Sequence, residues 1–122
     1  MKLRIKGNSV RIRITKTEVQ TLADTGYLQE QTSFGDSKLT YAVKAHNDAG
    51  SLSAMMHNNT ITMYVPEAFT KEWANNEVVG LNNKMQIDND TTLSLLLEKD
   101  FVCLDDTDED QADNYENPKS VC

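Results

Sequence analysis

Cysteine is scarce in this sequence, and its placement excludes two kinds of site. The chain has two cysteines, Cys103 and Cys122. They do not form a Cys-x-x-Cys pair and neither histidine lies near them in the sequence, so there is no zinc-binding motif and no redox pair. We predict two free thiols, the first of them buried beside Phe101 and Val102.

Long hydrophobic runs and complete catalytic motifs are also missing. No segment has the roughly 20 consecutive apolar residues of a membrane span. The basic residues 1–6 are followed by alternation, where a signal peptide needs a continuous apolar run. These absences predict a cytoplasmic protein with no membrane partner. No arrangement of nucleophile, base and orienting residue is recognisable, which favours a protein that is not an enzyme.

Aromatic residues and positive charge are too few for a typical nucleic-acid-binding protein. Aromatic residues make up 7% of the chain, and 12 Lys and Arg against 19 Asp and Glu give a formal net charge of -7. Such a chain supplies neither long-range attraction for phosphates nor a stacking platform for bases. We therefore predict no nucleic-acid partner.

The sequence does contain alternating apolar and polar residues, the pattern of half-buried β-strands. The first two strands are predicted on either side of Gly7-Asn8, which is a typical two-residue hairpin loop. In that register apolar residues face apolar residues and cations face cations, so that Arg4 lies opposite Arg11. The like charges on one side of this hairpin are its most unusual feature.

A second hairpin is predicted around Asn58-Asn59. With these two residues as its loop, Met56 faces Ile61 and Ala54 faces Met63. One side of the hairpin is then apolar and the other polar, and a slip by one residue would mix the two sides.

Two short helices are predicted from their start signals. Thr15 and Glu18 form the Ser/Thr-x-x-Glu capping box of a first helix, which Gly26 is placed to end in the left-handed conformation. Pro66 opens a second helix at its first position, where its missing N–H costs nothing. Trp73 on that helix is either a core anchor or an anchor of an interface.

Together these elements predict a single α+β domain over residues 1–104, followed by an acidic tail over residues 105–122 that can pack on the domain. We expect a mostly antiparallel sheet curled into a barrel or a sandwich, with two short helices. The last predicted strand, residues 93–98, turns Leu96 outward, where a helix or a partner chain would cover it. No internal repeat is visible in the sequence.

Three stretches resemble a family of short, uncharacterised bacterial proteins. They are residues 2–11 with the helix that follows, residues 64–73, and residues 98–104 with the acidic run and Asn117-Pro118. The stretches lie at both ends and in the middle of the chain, so the resemblance concerns the whole domain. It implies a domain of unknown function and no particular activity.

The N-terminal hairpin supplies the candidate anion-binding residues. One of its sides carries Lys2, Arg4, Lys6, Arg11 and Arg13. Directly opposed like charges destabilise a sheet, so an anion is expected on this side. The anion is either one of the protein's own carboxylates, from a neighbouring strand or from the acidic tail, or an exogenous ligand such as a phosphate group. Plain solvation by water is the remaining alternative.

The acidic tail supplies a candidate metal site. Asp106, Asp108 and Asp110 have the spacing of positions 1, 3 and 5 of a calcium-binding loop. Gln111 stands where that loop needs glycine, and Asn117 stands where it needs a bidentate glutamate. The pattern favours weak, non-specific binding of a divalent cation, and no other cofactor is expected.

These features favour a non-catalytic binding or structural module that self-associates, with the acidic tail against the basic hairpin of its own or a partner chain. The alternative is a domain that binds a small phosphorylated or polyphosphate ligand on the basic side of that hairpin. A metal-dependent phosphohydrolase resembling the triphosphate-tunnel family is disfavoured. The first strand reads Lys-Leu-Arg-Ile-Lys, where that family has Glu-x-Glu-x-Lys.

Overall fold

The structure is a computed structural model that describes residues 1–47, 50–101, 113 and 115. Strands account for most of this part of the chain, and two short helices interrupt them. In chain order the elements are β1 (Lys2–Lys6), β2 (Ser9–Ile14), α1 (Lys16–Thr25), β3 (Tyr27–Ser33), β4 (Lys38–His46), β5 (Ser53–His57), β6 (Thr60–Pro66), α2 (Glu67–Trp73), β7 (Gly80–Gln86) and β8 (Thr92–Lys99).

Strands β1 and β2 form the predicted N-terminal hairpin. Arg4 lies opposite Arg11 and Ile5 lies opposite Val10, as the alternation indicates. Gly7 in the loop has a φ of 54°, a left-handed conformation that glycine adopts without strain. The predicted register is confirmed.

Strands β5 and β6 form the second predicted hairpin. Ala54 faces Met63 and Met56 faces Ile61, which confirms this register as well. The loop residues Asn58-Asn59 have φ values of 50° and 59°, as expected for the type I′ turn that fits the right-handed twist of a hairpin.

The capping box of α1 is confirmed. The Oγ1 atom of Thr15 accepts a hydrogen bond from the backbone N–H of Glu18 at 3.3 Å, and the carboxylate of Glu18 accepts one from the backbone N–H of Thr15 at 2.9 Å. Gly26 ends the helix with a φ of 75° and donates its N–H to the carbonyl of Leu22 at 2.9 Å. Both ends of the helix are therefore specified locally.

Helix α2 begins one residue later than predicted. Pro66 is its N-cap, with an extended ψ of 128°, and is also the last residue of β6. Trp73 is fully buried, its ring centroid is 5.0 Å from that of Phe69, and its indole N–H donates to the carbonyl of Val78 at 2.7 Å. Trp73 is therefore a core anchor, and the interface alternative is wrong.

The strands pair into two four-stranded sheets. Sheet A has the order β1-β2-β8-β7 and sheet B has the order β3-β4-β6-β5. The outer pairs of each sheet are antiparallel hairpins, but the central pairs β2–β8 and β4–β6 are parallel. The prediction of a mostly antiparallel sheet is therefore confirmed in part: the sheets are mixed, because at these two central pairs the second strands of two hairpins lie side by side and run in the same direction. Each sheet of the described chain ends in two edge strands, so it does not close into a barrel and the arrangement is sandwich-like.

The two halves of the chain repeat the same topology. The first half runs β1, β2, α1, β3, β4, and the second runs β5, β6, α2, β7, β8. Each sheet combines the first hairpin of one half with the last hairpin of the other. The hairpin loops make equivalent contacts, since the carbonyl of Asn8 accepts from Ser94 at 3.1 Å and that of Asn59 accepts from Thr40 at 2.9 Å. This repeat is visible in the topology and was not predicted from the sequence.

One hydrophobic core joins the inward faces of both sheets to the two helices, which also pack against each other. No helix in the described part of the chain is long and apolar enough to cross a membrane. The largest side chains of the core with almost no exposure are Trp73, Ile12, Ile14, Leu22, Leu52, Met63, Leu97, Val19, Val43 and Val65.

Candidate functional site

The outward surface of sheet A carries all five predicted anion-binding residues. Because Ile12, Ile14 and Leu97 face the core, the residues that alternate with them on these strands face outward. We call this surface the basic face. It consists of Lys2, Arg4, Lys6, Ser9, Arg11 and Arg13 from β1 and β2, and Ser94, Leu96 and Glu98 from β8.

Glu98 partly neutralises the basic face. Strand β8 places it beside Arg13, and its Oε1 atom lies 2.8 Å from Nε of Arg13 and 2.6 Å from both Nε and Nη2 of Arg11. The side chain of Glu98 is 13% exposed. One carboxylate thus serves two guanidinium groups, which leaves this trio with a net positive charge. Glu98 is a neighbouring-strand carboxylate, one of the sources of negative charge that the sequence analysis considered.

Lys2 has a carboxylate partner of its own. Its Nζ atom lies 2.9 Å from Oδ2 of Asp100, whose side chain is 6% exposed. Asp100 follows β8 directly, and its backbone N–H donates to the carbonyl of Ile14 at 2.9 Å. The backbone therefore fixes this carboxylate next to the start of β1.

Arg4 and Lys6 differ from the other cations of this face. None of the ion pairs formed within residues 1–47, 50–101, 113 and 115 includes either of them. Both line a surface cavity of about 360 Å³. The other residues around this cavity are Ser9, Val10, Arg11, Ser94, Leu95 and Leu96.

A second cavity of about 470 Å³ adjoins the first, and Arg4 and Arg11 line both. Tyr41, from β4, also lines the second cavity. Burial raises the pKa of Tyr41, and the nearby carboxylate of Glu30 raises it further. The hydroxyl group of Tyr41 is therefore protonated at neutral pH, and it donates to Glu30 at 3.2 Å.

Lys99 is a buried cation that the sequence analysis missed. It is 3% exposed, and its Nζ atom donates to the carbonyl of Asn76 at 2.7 Å. The same atom lies 4.6 Å from the ring centroid of Tyr115 and 5.8 Å from that of Trp73. Burial lowers the pKa of Lys99, against the attraction of Glu77. The alternation along β8 could have predicted this burial, because Lys99 lies two residues after the inward-facing Leu97 and therefore takes the same side.

Two described residues of the predicted acidic tail contact the domain. The backbone N–H of Lys16 donates to the carbonyl of Asp113 at 3.0 Å, and Oγ1 of Thr17 donates to the Asp113 carboxylate at 3.0 Å. Hydrogen bonds from the side chains of Thr15 and Thr17 lower the pKa of Asp113. Tyr115 pairs with Phe101 and packs against the core. These contacts lie at the start of α1 and the end of β8.

The candidate metal ligands Asp106, Asp108 and Asp110 lie outside the described residues, as do Cys103 and Cys122. In the part of the chain that is described, no three His, Cys, Asp or Glu side chains come together as a metal site would require. Both histidines are exposed, and the ring of His46 meets Tyr64 edge-on with centroids 6.0 Å apart. The basic face is therefore the best-formed candidate site.

The comparisons with known proteins supply a family but no chemistry. A family model described as a family of unknown function (DUF7009) matches residues 1–119. No curated protein and no solved structure matches the chain.

Proposed function

The chain belongs to the family of unknown function DUF7009, and we propose that it is a non-catalytic binding module whose basic face holds a small phosphorylated ligand. The same proposal places the protein in the cytoplasm, where phosphorylated metabolites are plentiful.

The observation that carries this proposal is the first cavity of the basic face. Three cationic side chains, Arg4, Lys6 and Arg11, line it, and two of them have no carboxylate partner among the described residues. Ser9 and Ser94 line the same cavity, and the hydroxyl group of Ser9 donates to the carbonyl of Lys6 at 2.8 Å. Cations held together without a matching anion raise the energy of the unliganded protein, and an exogenous anion would remove that cost.

A phosphate group suits the donors around this cavity. The guanidinium of Arg4 presents several N–H groups in a planar fork that matches two phosphate oxygens, and the ammonium of Lys6 adds a compact charge. Hydrogen bonds between ionised groups are about twice as strong as neutral ones. The cavity is also at the lower end of the range for small-molecule sites, at about 360 Å³.

A thermal-shift titration with tripolyphosphate tests this proposal. A ligand present at 100 times its dissociation constant stabilises the folded state by about 2.7 kcal/mol, which corresponds to a Tm increase of about 10 °C for a chain of this size. We expect a saturable increase beyond that of a control salt at equal ionic strength.

Variants locate the bound ligand. Arg4→Gln and Lys6→Gln should each lower the affinity for tripolyphosphate at least tenfold, because each removes one charge-assisted contact. Lys38→Gln is the matched control, since Lys38 is exposed and lies at the start of β4 in the other sheet. The proposal would be refuted if tripolyphosphate did not raise the Tm of the unmodified protein, or if Arg4→Gln and Lys38→Gln bound it with equal affinity.

The chain's own acidic tail, residues 105–122, which we call the acidic segment, is the alternative occupant of the basic face. Asp113 and Tyr115 favour it, because they bring the C-terminal part of the chain onto the domain close to Asp100, the partner of Lys2. A variant in which acidic residues become amides tests this without removing Asp113 or Tyr115. The substitutions are Asp105→Asn, Asp106→Asn, Asp108→Asn, Glu109→Gln and Asp110→Asn.

If the acidic segment occupies the basic face, this amide variant is less stable than the unmodified protein at low salt, and the difference shrinks as salt screens the attraction. It also binds tripolyphosphate more tightly, because the competing carboxylates are gone. Equal stability and equal affinity in the two proteins would rule out the alternative and leave the phosphorylated ligand as the occupant.

A further inference from the structure

Strand β5 is an edge strand without charged side chains. The two sheets end in four edge strands, β1, β7, β3 and β5. The first three carry Lys or Glu side chains, whereas Ser53–His57 contains no Lys, Arg, Asp or Glu. Charged residues on edge strands prevent pairing with other chains. The missing charge leaves β5 open to such pairing.

The register of the second hairpin shows which backbone groups of β5 are free. In a two-residue hairpin the residues next to the loop, His57 and Thr60, exchange hydrogen bonds. Such pairs alternate with non-hydrogen-bonded pairs, so Met56 opposite Ile61 does not bond to β6. The N–H and C=O groups of Met56, and of Ala54 two residues earlier, therefore point away from sheet B, and no other described segment forms a backbone hydrogen bond with them.

The surroundings of this edge are apolar and exposed. Met55 is 57% exposed and Met56 is 66% exposed. The residue before the strand already has a partner, because the side-chain amide of Asn83 on β7 donates to the carbonyl of Leu52 at 2.8 Å. The free stretch is therefore short and begins at Ala54.

We propose that a second copy of this chain pairs with this edge, with the two β5 strands antiparallel about a two-fold axis at Met55. In that register Ala54 of each copy lies opposite Met56 of the other, and both outward-pointing residues take part in hydrogen-bonded pairs. Four backbone hydrogen bonds form. The small side chain of Ala54 faces the large side chain of Met56, and Met55 faces its own copy. Sheet B thereby continues into an eight-stranded sheet across the dimer.

The strand itself favours a second copy over an unrelated peptide. An isologous interface requires a surface that is complementary to itself, and the Met55-centred register provides this, since no like charges meet and both free residues are paired. A register centred on Met56 would instead place Ala54 opposite the turn residue Asn58. This register is the argument for a second copy as the partner.

Salt dependence distinguishes this dimer from one held by opposite charges. Each chain has a net charge of -7, so two copies repel each other and salt screens that repulsion. We expect the dimer to tighten as ionic strength rises. A dimer formed by the acidic segment of one copy on the basic face of the other would weaken.

Sedimentation equilibrium over a range of protein concentrations tests the proposal. The unmodified chain should form a dimer, and Met55→Lys should raise its dissociation constant at least tenfold, because it places two like charges opposite each other across the axis. Gln29→Lys on β3 is the matched control: it adds the same charge to an exposed position of the other edge of sheet B. Circular dichroism checks that both variants are folded.

A disulfide test reports the register directly. Opposed residues of a non-hydrogen-bonded pair have Cα atoms about 4.5 Å apart, within the range that a disulfide requires. In a background with Cys103→Ser and Cys122→Ser, Met55→Cys should therefore oxidise to a linked dimer at least tenfold faster than Gln29→Cys. A chain that is monomeric at every concentration, a dimer unchanged by Met55→Lys, or equal linking rates in the two cysteine variants would each overturn the proposal.

Discussion

Replacing Glu98 by glutamine tests how the basic face is held together. The substitution keeps the size of the side chain and one acceptor oxygen but removes the charge that Arg11 and Arg13 share. The lost contacts are those of Oε1 with Nε of Arg11 at 2.6 Å and with Nε of Arg13 at 2.8 Å. The guanidinium groups of Arg11 and Arg13 then lie close to each other and to that of Arg4, and Glu98 no longer compensates their charge.

The magnitude follows from the exposure of the three side chains. Buried hydrogen bonds to charged groups contribute about 1.5–3 kcal/mol each, and exposed ion pairs contribute about 0.2–1 kcal/mol. Glu98 is 13% exposed, but Arg11 and Arg13 are 30% and 39% exposed. We place the pair of contacts between these limits and expect Glu98→Gln to lower the free energy of unfolding by about 2 kcal/mol, a Tm decrease of about 8 °C.

Urea denaturation followed by circular dichroism measures this loss. Glu72→Gln is the control, since it removes the same charge from an exposed position of α2. The loss in Glu98→Gln should shrink at high salt, which screens the repulsion among the arginines, and tripolyphosphate should stabilise this variant more than the unmodified protein. A loss below about 0.5 kcal/mol, or one equal to that of Glu72→Gln, would show that Glu98 does not neutralise the basic face.

Three further predictions concern the rest of the fold. Gly80→Ala should cost about 2–3 kcal/mol in a urea titration, because the new Cβ would clash with the carbonyl of Leu97 and lie 2.8 Å from Cα of Glu98; an effect below 0.5 kcal/mol would contradict this packing. Lys99 has a lowered pKa, so the unfolded chain binds more protons between that pKa and the ordinary value of 10.5, and stability should rise with pH across this window. Lys99→Met should lack that rise. If the stability of both proteins changed with pH in parallel, Lys99 would not be the group responsible. Asp113 also has a lowered pKa, so its stabilisation is present above the ordinary value of 3.8 and is lost as pH falls through the lowered pKa. The stability advantage over Asp113→Asn should vanish in acid, and an advantage that persists at low pH would refute the role of its carboxylate.

The features that the sequence predicted correctly are those that depend on nearby residues. The Gly7-Asn8 and Asn58-Asn59 loops set the registers of both hairpins, because a two-residue turn leaves one pairing that keeps apolar residues on one side. The capping box of Thr15 and Glu18 set the start of α1 for the same reason, since its two hydrogen bonds join residues three apart.

The features that the sequence did not predict depend on contacts between distant segments. Strand β8 pairs with β2 across most of the chain, and alternation within each strand is the same whether the neighbour is parallel or antiparallel. The positions of Glu98 beside Arg13 and of Lys99 beside Ile14 follow from that pairing. A pattern read along one strand therefore predicts which side a residue takes, but not which residue lies across from it.

The repeated topology separates what the fold requires from what the basic face adds. Ile12 and Ile14 of β2 occupy the same places in their half as Met63 and Val65 of β6 do in the other, because each pair lies on the second strand of a hairpin and leads into a helix. All four side chains are fully buried. The core positions thus stay apolar in both halves.

The outward positions of the same strands do not correspond in charge. Where the first half has Arg11 and Arg13, the second has Thr62 and Tyr64, and Met55 stands where the first half has Arg4. One backbone arrangement is therefore stable with or without the cations. Opposed arginines destabilise a sheet, and features that break a local rule are expected at functional sites. The half that avoids this cost carries the uncharged edge of β5, so the two proposed binding surfaces arise from equivalent hairpins of one repeated unit.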